Sequence, residues 1–182
     1  MVFYQATHNL KEKLLEMAEA LLITRSDLVR FTTVNGNVDT DKFIQYIKIA
    51  QDIHIQNYLG TDLLNKIKAD IIATTLTGNY ETLVETFIKP MLCHWAMVEY
   101  LPFAAYTISN KGVYKHGSEN ATNAEKNEID FLLEKERKIA QHYTERFIDY
   151  ISFNQDLFPE YNSNSNGDMY PDTNNNFIGW VL

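Results

Sequence analysis

This sequence has a single cysteine, Cys93, so it cannot form an internal disulfide, and a reducing compartment suits it without being demanded. It has no uninterrupted apolar stretch long enough to span a bilayer. The N-terminus, MVFYQATHNLKEKL, lacks a basic region followed by a long apolar run, so a signal peptide is not expected. Basic residues are in deficit, with 16 Lys and Arg against 24 Asp and Glu, for a net charge of −8. That balance argues against wrapping nucleic acid, which needs Lys and Arg patches to neutralise phosphates, and against an anionic membrane surface. These absences predict a cytosolic protein, or one assembled in a cytosol.

Marks of known chemistry are also missing. There is no GxxxxGK[ST], GxGxxG or HExxH and no paired CxxC, which leaves phosphate-cradling, dinucleotide, zincin and paired-cysteine mechanisms unsupported. The histidines are His8, His54, His94, His116 and His142, and none has a second ligand at metal-binding spacing. The nearest case, Cys93-His94 with Glu99, fails because neighbours point to different sides of a helix and residues five apart do not stack. A packed cysteine beside a hydrogen-bonded histidine is the favoured reading. A Cys93–histidine dyad would need a turn presenting the thiol, and no Gly-flanked turn surrounds it. The expectation is therefore a protein that is not an enzyme, with no cofactor and no metal.

What is present is helical periodicity and an abundance of aromatics, eleven Tyr, ten Phe and two Trp, suited to packed cores or interfaces. Leu10, Leu14, Met17, Ala18, Leu21 and Leu22 form one amphipathic stripe, with Asn9 and Glu12 in capping positions. A short helical turn is expected after Ser26, then a break at TTVNGNVDT. A helix over about 41–58 ends at Gly60, and Thr61 is placed to cap the next, which runs to the break at Gly78. From Tyr80 to about Tyr106 the sequence is apolar almost all round, as in the central helix of a bundle, with a kink expected at Pro90. The longest clean helix is expected over 123–153, opened by Thr122 and Glu125, with a core stripe including Ile129, Leu132, Leu133, Ile139, Ala140, Tyr143, Phe147 and Ile151.

Two stretches stand apart. The segment near 106–116, TISNKGVYKHG with flanks, reads either as a small β-hairpin or as a plain loop. Its Lys111, Tyr114, Lys115 and His116 make a cluster able to touch phosphate, but a polar connection between helices is favoured. Residues 162–176, NSNSNGDMYPDTNNN, hold six asparagines and only two large apolar side chains, too few to build a core, so they read as a linker or extended arm. FIGWVL ends the chain beyond it. The fold expected is all-α, a bundle of about five helices over 1–160, followed by a polar arm with an apolar C-terminal anchor over 161–182.

The layout ITRSDLVRFTTVNGNVDTDKFIQYIKIAQDIHIQNYLGTDLLNKI, then a long apolar helix, then TISNKGVY, then a capped terminal helix, resembles a known group. These are the small helical head–tail connector proteins of tailed bacteriophages, also called adaptor or neck-ring proteins, with those of crAss-like phages most alike. The resemblance covers most of residues 20–150. It implies a homo-oligomeric ring, typically twelve-membered, beneath the portal protein, located at the neck of the virion and assembled in the host cytoplasm. Such a ring extends the channel through which DNA passes without specific binding, and it offers a platform to other neck and tail proteins, with no membrane involved. Carried onto this chain, it implies contact elements at Asn110, Lys111, Gly112, Val113 and Tyr114, and in the tail at Phe177, Ile178, Trp180, Val181 and Leu182. The runner-up expectation is a small helical interaction or regulatory module that binds a host or phage protein through its C-terminal tail.

Overall fold

A capping box opens the first described helix: Thr24 accepts from the Asp27 backbone, and the Asp27 carboxylate takes the Thr24 N–H at 2.8 Å. Helix α1 (Arg25–Phe31) therefore starts one residue before Ser26. The computed structural model describes residues 20–34, 41–104, 106–109, 112–115, 126–165 and 167–174. The expected stripe from Leu10 to Met17, its Asn9–Glu12 caps and the Thr122–Glu125 box lie outside these residues.

Helix α2 (Asp41–Ala50) runs through a π-helical turn, Gln51–Ile55, into α3 (Gln56–Leu59) without a break. The wider turn has a visible use. Gln51 is fully buried, accepting from Leu22 N–H and donating to the Ala20 carbonyl, both at 3.0 Å. One amide side chain thus satisfies two backbone groups of the incoming N-terminal segment, as a strand partner would. Gly60, at φ +73°, turns the chain into α4 (Thr61–Ala73).

Helix α4 ends at Ala73, well before Gly78. Thr74 takes the left-handed conformation at φ 58°, and Thr74 and Thr75 N–H donate to Ile71 and Asp70 carbonyls. This is the closing arrangement usually given to glycine. Gly78 instead opens α5 (Gly78–Leu83), which passes through a second π-helical turn, Val84–Ile88, into α6 (Lys89–Tyr100). The expected disturbance at Pro90 takes this form. Pro90 has no N–H to give, and just before it the Lys89 N–H reaches back five residues to Val84. Nine of the twelve α6 residues are buried, so this is the central helix.

A 3-10 turn, Leu101–Phe103, follows, and then strands β1 (Tyr106–Ser109) and β2 (Gly112–Lys115) pair antiparallel, Ser109 opposite Gly112. Helix α7 (Lys126–Phe153) returns along α6, with Phe87 stacked on Tyr150 and Trp95 bonded to Thr144. Helix α2 lies antiparallel on another side of α6, where Phe43 and Tyr46 meet Tyr100. The architecture is an all-α bundle around α6, with Leu63, Ile67, Leu83, Ile88, Met91, Leu92, Phe147 and Phe158 among its fully buried side chains.

The polar arm departs from expectation. It does not leave the bundle at residue 161. Tyr161 is buried beside Phe147, and residues 163–165 and 167–172 lie across the corner between α3 and α4. Low apolar content ruled out a core there, yet backbone and carboxylate hydrogen bonds hold the segment without one.

Candidate interaction surfaces

The corner crossed by the arm is built from both sides. Thr61 N–H donates to the Met169 carbonyl at 3.0 Å, and Met169 N–H returns to Thr61 Oγ1 at 3.2 Å. Thr61 therefore does not cap α4 with its hydroxyl; it pairs with the strap and also accepts from Gln56 Nε2. The Asp62 carboxylate, in the first turn of α4 where the helix dipole favours a negative charge, accepts from Ser163 Oγ, Ser165 N and Ser165 Oγ at 2.7–2.9 Å. Asp172 N–H donates to the Asn57 carbonyl at 2.8 Å. Gly60 makes room for the strap: a Cβ there would stand 2.8 Å from Pro171 Cδ. Beneath it, the Tyr161 hydroxyl is buried with no hydrogen-bond partner among the described residues, and burial with the nearby Asp172 charge pushes its pKa up to about 12.

A second polar system pins the three long helices in register. His54, in the first π-helical turn, stacks on Trp95 with ring centroids 3.9 Å apart and 11° between planes. Its Nε2 lies 2.8 Å from Glu99 Oε1. Trp95 Nε1–H donates to Thr144 Oγ1 at 3.0 Å, and the Thr144 hydroxyl in turn donates a hydrogen bond to the Ala140 carbonyl. One residue earlier on α6, His94 Nδ1 lies 2.8 Å from Glu136, its ring parallel to Tyr143. Both histidines are thus hydrogen-bonded and packed, and Glu99 serves His54, 45 residues away, not His94. Among the described residues no three His, Cys, Asp or Glu side chains are grouped to hold a metal. Cys93 is fully buried, and burial, with the Asp27 charge, pushes its thiol pKa far up, which keeps it protonated and inert as a nucleophile.

The third feature is the start of α7. No residue from Lys126 to Ile139 is buried, whereas Ala140, Thr144, Phe147, Ile148 and Ile151 are. Leu132 and Ile139, expected in the core stripe, are exposed together with Phe131. The register explains the difference: Ile129, Leu133 and Glu136 occupy the half-buried line above Ala140, and Leu132 and Ile139 fall about a quarter-turn to one side of it.

Of the sequence-expected contact residues, Gly112, Val113 and Tyr114 lie in β2. Asn110, Lys111, Phe177, Ile178, Trp180, Val181 and Leu182 lie outside the described residues. The residues that sequence reasoning missed are Asp62, Gln51 and His54. Their only local signal was a helix-opening position for Asp62, because their partners are 29 to 103 residues away.

An all-α bundle whose C-terminal strap is hydrogen-bonded over an interhelical corner defines the class. Within it, the chain belongs to the family of unknown function DUF6712, which matches residues 55–171, more than half of its length. The match reaches from the first π-helical turn to Pro171, so it takes in the strap as well as the helices. No curated protein and no solved structure matches the chain significantly.

Proposed function

We propose that this chain is a structural subunit of a tailed-phage virion, a head–tail connector that forms a ring, of twelve copies in the resembling proteins, below the portal. In this role it lengthens the DNA channel and gives tail proteins a docking platform; it catalyses nothing. The observation that carries the reading is the strap. Because Met169 and Asp172 are bonded to Thr61 and Asn57, the eight residues after Asn174 start from a defined point on the bundle. Eight residues extend about 28 Å, enough for FIGWVL to reach a neighbouring subunit. Many weak anchors on one ring act together, so a short apolar tip suffices. The acidic balance suits a channel wall that does not grip DNA.

The test is co-expression with the portal protein encoded in the same genome, followed by electron microscopy. Rings seated on the portal are expected, and removal of residues 175–182 should weaken seating while leaving the bundle's melting temperature nearly unchanged. Absence of rings on that portal, with one-to-one capture of a single host protein by the tail, would replace the connector with the interaction-module reading.

A further inference from the structure

The exposed half of α7 carries an ordered pattern. Phe131 and Leu132 are 59% and 50% exposed, and with Asn127 and Glu128 they line a shallow depression. Ile139 lies two turns beyond Leu132 on the same side and is also exposed. Isolated exposed apolar residues are ordinary, but an adjacent Phe–Leu pair continued along one side of a helix marks a contact surface. The charges on either side decide what it contacts. Glu128 stands one turn before the Phe131–Leu132 pair, and Lys135 one turn after it, with its ammonium 5.5 Å from the Phe131 ring centre.

Acid, apolar pair, base is a self-complementary order. Laid antiparallel about a point between residues 131 and 132, a second copy brings its Phe131 against Leu132 and its Lys135 against Glu128, twice by symmetry. A parallel pairing would set Glu128 against Glu128 and Lys135 against Lys135. We propose that the free protein associates as a twofold antiparallel dimer through the Lys126–Ile139 half of α7. About four turns of a single helix on each side cover less than the roughly 800 Å² per partner of a standard stable interface, so the dimer is weak and dissociable. This contact is isologous, unlike the head-to-tail contacts that close a large ring, and it does not rest on the connector reading.

Sedimentation velocity of the full chain, from low to several hundred micromolar, tests it. A concentration-dependent dimer is expected, abolished by Leu132→Glu, an exposed position where folding is not at risk. Glu128→Lys and Lys135→Glu should each weaken it about tenfold by placing like charges together at two symmetric sites, and the double variant should restore it. A monomer throughout overturns the proposal, as does a dimer indifferent to the swaps. A dimer that appears only after removal of residues 1–19 or 175–182 also overturns it, because the chain's own end would then cover the face.

Discussion

The carboxylate of Asp62 accepts both the backbone N–H and the hydroxyl of Ser165, at 2.9 and 2.8 Å, across 103 residues of sequence. With Thr61, it converts an asparagine-rich segment that could pack nothing into part of the fold. Asp62→Ala should release this segment while the helical core stays intact. A loss of about 1–2 kcal/mol is expected, the range of one or two charge-assisted bonds at a partly exposed site. Hydrogen exchange checks it: the Ser165, Met169 and Asp172 amides should lose protection together, with α6 amides unchanged.

Gly60 holds the other side of the same corner. Gly60→Ala adds a Cβ at 2.8–2.9 Å from the Pro171 ring and forces a non-glycine residue to φ +73°. Destabilisation of about 1–3 kcal/mol should follow in denaturant titration, from backbone strain and overpacking together. Combining it with Pro171→Ala should recover the overpacking part only, so the two changes will be non-additive.

Thr74 offers the opposite sign. A β-branched residue at φ 58° closes α4 in a conformation that glycine adopts without penalty, and its side chain is exposed. Thr74→Gly should therefore stabilise the protein by about 0.5–1 kcal/mol, read as a raised melting temperature.

The stacked His54 makes stability pH-dependent. Burial of the ring lowers its pKa below the ordinary 6.5; Glu99 pulls it back up, and Arg137 adds to the lowering. A folded value below the unfolded one means that the native state binds the proton less well. His54 therefore contributes stability that is present above pH 6.5 and is lost as the pH falls from there through the lower folded pKa. An NMR titration should place its midpoint below 6.5, and Glu99→Gln, which removes the raising partner, should move it lower still. A midpoint that rises in Glu99→Gln would contradict the geometry.

Asp27 governs a lower range. Burial disfavours its charge, but the Thr24 N–H and hydroxyl and the Lys89 ammonium outweigh that and hold its pKa below the usual 3.8. The stability it provides is present above pH 3.8 and is lost as acid drives the pH down through its folded pKa. Asp27→Asn should flatten this acid limb of the melting-temperature profile.

Local features were legible from neighbours in sequence. The all-round apolar character of Leu83 to Leu101 identified the central helix, because only burial on every side accommodates it. Gly60 and Pro90 each announced a departure from regular helix, and both produced one. Composition misled at the arm: the count of apolar residues measures what a segment can bury, and Ser163, Ser165, Met169 and Asp172 are held by hydrogen bonds. It misled again at Leu132 and Ile139, where a long helix has apolar residues on two faces and periodicity does not say which one meets the core.

The sequence by itself determined the helical class, the central helix and the absence of motifs for four well-marked chemistries, because these follow from spacing within a few turns. Only the tertiary structure decided that Gln51 would clamp Ala20 and Leu22, that His54 and Glu99 would meet across Trp95, and that the strap would close over Gly60. Each depends on a partner dozens of residues away, whose position is set by helix packing and by the two π-helical turns, and neither leaves a trace in local pattern.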